Sequence, residues 1–90
     1  MGERYLSIDQ VARHLDTTPE SIEEQILRGR VLPTERRGLR FLSDREVYKL
    51  KFVLYLQRKC CLSPEQIDVV LETVSPPYDT WREQLATAAD

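Results

Sequence analysis

The sequence predicts a mainly helical fold of about five helices with a short two-stranded β-hairpin. Three observations carry this prediction. Polar N-cap residues stand before apolar residues at helical spacing. A polar turn with a glycine separates two short β-type runs within residues 30–42. Ninety residues allow one compact core and are too few for two, so we expect a single domain over residues 1–90.

A helix-turn-helix is predicted for residues 7–29. Ser7 and Gln10 have the spacing of a capping box, and apolar residues follow at helical intervals. Thr18 and Pro19 begin a second helix as its N-cap and first helical residue. Gly29 ends that helix. Two short helices joined by a tight turn form the helix-turn-helix motif.

The second helix is expected to bury one stripe and to expose another. Its buried stripe is predicted to contain Ile22, Ile26 and Leu27. Its solvent-facing residues are predicted to be Glu20, Glu23, Glu24 and Gln25. Three carboxylates on that face would be repelled by the phosphates that wall a DNA groove. The negative charge of these carboxylates therefore argues against insertion of this helix into a DNA groove.

Residues 30–42 are predicted to form the hairpin. Val31–Thr34 is apolar and β-branched, and Leu39–Phe41 alternates between apolar and charged residues. The tip is expected near Arg36, Arg37 and Gly38. Pro33 restricts the first strand to an edge. A basic hairpin directly after a helix-turn-helix has the arrangement of a wing.

Two further helices are predicted within residues 43–74, and a short one within residues 78–89. Ser43 and Glu46 form a second capping-box pattern before the longest helix, which runs from Asp44 to Lys59. Ser63 and Pro64 begin the next helix. In the last helix, Trp81 and Leu85 lie one turn apart and are expected to face the core.

Charge is segregated along the chain, although the whole carries only −2. Between Arg28 and Lys59 there are ten basic and three acidic residues, which gives +7, and the remainder carries −9. Such blocks favour one face that meets a polyanion and another that is turned away from it. The alternative is that the charges only solvate helix surfaces.

Catalysis, cofactors and metals are not expected. His14 is the only histidine, and the sequence has no phosphate loop or nucleophile motif. Cys60 and Cys61 are adjacent, so a disulfide between them would be strained, and soft-metal binding by the pair is a minor alternative. No signal peptide or membrane-spanning run is present, which predicts a cytoplasmic protein with no membrane partner.

The candidate binding residues are mostly arginines, because a guanidinium matches phosphate oxygens and stays charged. Phosphate contacts are predicted for Arg36, Arg37, Arg40, Arg45 and Lys49. Base-edge or flanking contacts are predicted for Ser21, Gln25 and Arg28. Together they predict a double-stranded DNA interface made of the wing, the start of the third helix and the second helix.

The motifs Ser7–Ala12, Thr18–Ile22, Gly38–Ser43 and Glu46–Ile67 resemble, in order and spacing, the MerR family of transcription regulators. The resemblance covers about residues 5–74. It implies a winged helix-turn-helix that binds DNA, with Arg40 on the DNA backbone, and it raises the expectation of a homodimer. The family's arginine and aromatics on the second helix are replaced here by Glu23, Glu24 and Gln25. The family's long C-terminal dimer helix has no counterpart after Pro77.

A second resemblance gives the alternative function. Chaperone-modulator proteins of CbpM type share the MerR-like fold and an acidic second helix, and they bind a protein instead of DNA. Tyr48, Tyr55 and Trp81 are candidate interface anchors under that reading, although core packing is the expected role of each. The leading expectation is a DNA-binding regulator, and the alternative is a protein-binding adaptor.

Overall fold

The computed structural model describes residues 4–76 and 78–89, apart from the side chains of 88 and 89. Within these residues the chain is mainly helical, with five α-helices and a small antiparallel sheet. The elements are β1 (Tyr5–Ser7), α1 (Ile8–His14), α2 (Pro19–Leu27), β2 (Thr34–Arg36), β3 (Leu39–Ser43), α3 (Asp44–Arg58), α4 (Pro64–Thr73), a 3-10 turn (Tyr78–Thr80) and α5 (Trp81–Ala89). The chain divides into two compact units, with the boundary between Lys51 and Phe52.

Local capping fixes the first two helices as the sequence predicts. The Ser7 hydroxyl accepts the Gln10 backbone N–H at 3.2 Å, and the Gln10 side chain accepts the Ser7 N–H at 2.8 Å. The Thr18 hydroxyl accepts the Ser21 N–H at 3.2 Å at the start of α2. The turn between the helices places Asp16 at φ 55°, in the left-handed region that aspartate tolerates better than most residues.

The sheet has three strands, in the order β1-β3-β2, and not the two that the sequence predicts. Tyr5 pairs with Ser43 and Ser7 pairs with Phe41, so residues before α1 add a strand to the hairpin. The hairpin itself begins at Thr34 and not at Val31. Three-residue strands are held by their long-range partners, and their own sequence gives little signal for them.

The hairpin tip lies where the sequence places it. Arg36 pairs with Leu39, which leaves Arg37 and Gly38 as a two-residue loop with φ values of 53° and 76°. Positive φ at both loop residues is the signature of a type I′ turn, whose twist matches that of the flanking strands. Gly38 adopts this conformation without cost, whereas Arg37 holds it at some strain.

Two predictions about side-chain partners are corrected in the first unit. Leu27 is 87% exposed, because it lies about 140° around α2 from the fully buried Ile22. At the start of α3, the Ser43 hydroxyl accepts the Glu46 N–H at 3.4 Å as predicted. The Glu46 carboxylate, however, accepts the Leu32 N–H at 2.7 Å and so ties α3 to the segment before the hairpin.

The second unit packs α4 and α5 around an aromatic cluster. Phe52 stacks on Tyr78 with ring centroids 4.4 Å apart, and Trp81 meets Phe52 edge-on at 6.0 Å. Trp81 and Leu85 are partly buried against this cluster, which confirms their predicted orientation. Ser63 and Gln66 form both hydrogen bonds of a capping box at the start of α4. Among the described residues, no helix is long and apolar enough to cross a bilayer.

Candidate interaction surface on α2 and the hairpin

An ion pair joins the hairpin to α2. The Arg40 guanidinium on β3 donates to the Glu23 carboxylate, although the two residues are seventeen positions apart in the sequence. Their side chains are 40% and 35% exposed, so the pair lies at the surface and is partly shielded from water. Arg40 was predicted to contact phosphate, and Glu23 to repel it. In the folded protein these two charges meet each other.

A second ion pair lies along α2 itself. The Arg28 guanidinium contacts the Glu24 carboxylate at 3.3 Å, one helical turn away. Pairs at this spacing stabilise an exposed helix by about 0.3–0.5 kcal/mol. Arg28 was a predicted DNA contact, and its charge is now matched by a neighbouring acid. Two arginines of the basic block are therefore paired with acids from outside that block.

Gln25 does not lie on the exposed side of α2, so its predicted solvent-facing position is wrong. Its side chain is 1% exposed. Its amide oxygen accepts a hydrogen bond from the Arg30 guanidinium at 2.9 Å, and Arg30 is itself only 4% exposed. A buried charge is costly without such polar partners, so this contact supports the turn that leaves α2. Arg30 therefore adds nothing to a basic surface.

The exposed stripe of α2 contains Glu20, Glu24, Leu27 and Arg28, and we call these residues the α2 face. Glu24 lies four positions after Glu20, and Leu27 and Arg28 lie three and four positions after Glu24, which places them on one side of the helix. The stripe carries two acids, one base and a leucine that is 87% exposed. Ser21, the remaining α2 candidate, is half-buried.

The other predicted phosphate contacts are on the hairpin and α3. Arg37 is exposed at the hairpin tip, and the Arg36 guanidinium lies over the Tyr5 ring with its carbon 5.1 Å from the ring centre. Arg45 is exposed on the first turn of α3, and Lys49 is half-buried one turn later. Of these four cations, none makes an ion pair with another described residue.

No protein-family model, no curated protein and no solved structure matches the chain. What the surface binds is therefore inferred from its chemistry alone.

Metal-binding side chains do not cluster in the described part of the chain. No group of three or more His, Cys, Asp or Glu residues there is placed to hold a metal ion. Both cysteines are free thiols, with Cys60 half-buried and Cys61 exposed. The Arg82 guanidinium lies 4.0 Å from the Cys60 sulfur. This contact gives the Cys60 thiol a polar neighbour.

Several exposed apolar side chains were not recognised from the sequence. Tyr48 and Tyr55 are 45% and 41% exposed, so their expected core packing is wrong, whereas Trp81 is partly buried as expected. Leu32 and Leu39 are 69% and 63% exposed. Leu39 could have been recognised, because its alternation with the buried Leu42 along β3 assigns it to the outer face of the sheet.

Proposed function

We propose that this protein is a non-catalytic, cytoplasmic adaptor of winged helix-turn-helix type that binds another protein through the α2 face. The order of helix, turn, helix, hairpin and two further helices is the one expected for a MerR-like domain. The observation that carries the functional proposal is the composition of the α2 face. In a groove-reading helix-turn-helix the second helix enters the DNA, and here its exposed face presents Glu20, Glu24 and Leu27.

Electrostatics favour a protein over DNA at this face. Duplex DNA has a charge every 1.7 Å along its axis, so binding depends on cations that neutralise phosphates. Two arginines that reach the acids of α2, Arg40 and Arg28, are engaged with Glu23 and Glu24. Freeing them for phosphate would leave two carboxylates close to the DNA backbone. A protein surface with basic and apolar groups would complement the α2 face without that repulsion.

The exposed apolar side chain of Leu27 also favours a protein partner. A fully exposed leucine side chain gains roughly 1.5–3 kcal/mol when a partner buries it. Interfaces place such apolar anchors at their centre and surround them with polar residues. Leu27 has acidic and basic neighbours on the same helix face, which matches this arrangement.

Capture of the partner from a lysate of the native host tests the proposal. The immobilised wild-type protein is compared with a Glu20→Lys, Leu27→Ala double variant. The matched control is Glu65→Lys, Val69→Ala, because these α4 residues are also an exposed acid and an exposed apolar side chain. We expect one protein with a basic surface to be captured by wild type and control, and to be lost at least tenfold by the α2 variant. Equal capture by all three would reject the α2 face as the site.

Duplex DNA binding by the hairpin and α3 is the second candidate. It is favoured by Arg37, Arg45 and Lys49, which form no ion pair with another described residue. In this case the protein would contact phosphates without inserting α2 into the groove. Affinity would then fall with salt, with a log–log slope of about −0.9 per phosphate neutralised. An Arg37→Ala, Arg45→Ala variant would lose about two phosphate contacts, so its slope would be less steep than that of wild type. A slope that this variant leaves unchanged would exclude the hairpin as the DNA site.

A further inference from the structure

The outer face of the sheet combines aromatic and cationic side chains from all three strands. Residues directly paired across an antiparallel sheet point to the same side. Phe41 on the central strand pairs with Ser7 on one side and Thr34 on the other. Tyr5 and Arg36 lie two positions away along the outer strands, so their side chains share the face of Phe41. Leu42 points to the opposite side and is fully buried.

These three side chains enclose a small open pocket. Its volume is about 120 Å³, and its walls are Tyr5, Arg36 and Phe41. Arg36 reaches across the central strand, so that its guanidinium carbon lies 5.1 Å from the centre of the Tyr5 ring. Tyr5 remains 39% exposed and Phe41 is half-buried, which leaves both rings accessible from the solvent side.

The chemistry of the walls specifies a ligand with two parts. The rings of Tyr5 and Phe41 offer a flat apolar surface on which an aromatic ring gains stacking energy. The Arg36 guanidinium engages Tyr5 and makes no hydrogen bond to another described residue, so its N–H groups remain available. A guanidinium pairs best with a carboxylate or phosphate, which it binds through two parallel hydrogen bonds.

The size of the pocket and the charge of its lining restrict the class of ligand further. The pocket volume of about 120 Å³ is close to the roughly 150 Å³ of a cavity that accommodates benzene, so a single six-membered ring matches it better than a fused ring system. Among the described residues that line the pocket, Arg36 is the only charged one. One cation matches the single charge of a carboxylate, whereas a phosphate monoester carries between −1.5 and −2 at neutral pH and needs further cations.

We propose that Tyr5, Arg36 and Phe41 form a binding site for a small aromatic carboxylate of one ring. The ring lies against Tyr5 and Phe41, and the carboxylate accepts hydrogen bonds from Arg36. The site uses none of the residues of the α2 face. The proposed site is therefore independent of the proposed adaptor function and is tested separately from it.

Titration of the full ¹⁵N-labelled chain with benzoate, followed by NMR, tests the site. Benzoate is expected to shift the amide signals of the pocket residues in a saturable way with a Kd of roughly millimolar, as its nine heavy atoms allow. Benzamide, which has the ring without the charge, and acetate, which has the charge without the ring, are expected to bind at least tenfold more weakly. Phenyl phosphate is expected to bind no better than benzoate.

Two variants localise the contact. Arg36→Gln is expected to weaken benzoate binding at least tenfold, and the exposed position of Arg36 means that this variant folds. Arg37→Gln, the next residue at the hairpin tip, does not line the pocket and is expected to bind as wild type does. The proposal is overturned if benzoate gives no saturable shifts up to about 20 mM. It is also overturned if benzamide or phenyl phosphate binds more tightly than benzoate, or if both arginine variants lose binding equally.

Discussion

At the scale of single residues, the partners of the arginines determine what each can do. Arg30 is buried and bonded to Gln25. Arg28 and Arg40 form ion pairs with acids of α2. Arg37 is exposed at the hairpin tip. The sequence treats these side chains alike, because each is a guanidinium in one basic stretch. Which of them is buried, paired or exposed depends on contacts with residues that are distant in the chain.

Replacement of Gln25 by leucine tests the buried contact with Arg30. The change removes an acceptor from a guanidinium that is almost completely shielded from water. Hydrogen bonds to buried charged groups contribute about 1.5–3 kcal/mol, so we expect a loss of about 2 kcal/mol in the free energy of unfolding. Urea denaturation followed by circular dichroism measures it. Glu20→Leu on the exposed side of α2 is the control and should change stability by less than about 0.5 kcal/mol.

The hairpin tip offers a second test at this scale. Arg37→Asn places a residue that tolerates positive φ at the first loop position, and we expect a gain of about 0.5–1 kcal/mol in stability. Gly38→Ala should have the opposite effect, with a loss of about 1 kcal/mol. A Cβ at Gly38 would meet no atom within 4 Å, so that loss would come from the backbone alone. Thermal unfolding of both variants measures the difference, and equal Tm values would contradict the type I′ turn.

At the scale of elements, the sequence predicts the helix caps correctly but does not predict the pairing of the third strand. The caps at Ser7, Thr18 and Ser63 involve residues three positions apart, and the sequence predicts all three. The third strand was missed, because Tyr5–Ser7 is held only by pairing with residues beyond position 40. The surface composition of α2 was predicted apart from Gln25 and Leu27, which exchange the sides expected for them.

The capping box of α4 gives a prediction at this scale. Ser63→Ala removes the acceptor for the Gln66 backbone N–H, and such N-cap losses cost about 1 kcal/mol. Ser75→Ala is the matched control, because Ser75 is bonded to Gln84 through its backbone N–H and carbonyl. Hydrogen exchange of the α4 amides is expected to accelerate in the first variant and to stay unchanged in the second. Acceleration in both would mean that the effect is not specific to the cap.

At the scale of the whole molecule, function depends on how the basic and acidic blocks of the chain combine. The sequence-level count of +7 for residues 28–59 favours a polyanion as partner. In the fold, two of those arginines are neutralised by carboxylates of α2 and one is buried. We therefore expect the chain to bind duplex DNA poorly, despite the excess of basic residues in this stretch.

Titration of a fluorescently labelled DNA duplex at about 50 mM salt tests this claim most directly. Wild type is compared with a Glu23→Gln, Glu24→Gln variant, which frees Arg40 and Arg28 and removes two negative charges from α2. We predict no saturable binding by wild type and at least tenfold tighter binding by the variant. Saturable binding by wild type, with the same affinity as the variant, would contradict the neutralisation of Arg28 and Arg40 by the acids of α2. DNA would then be the favoured partner.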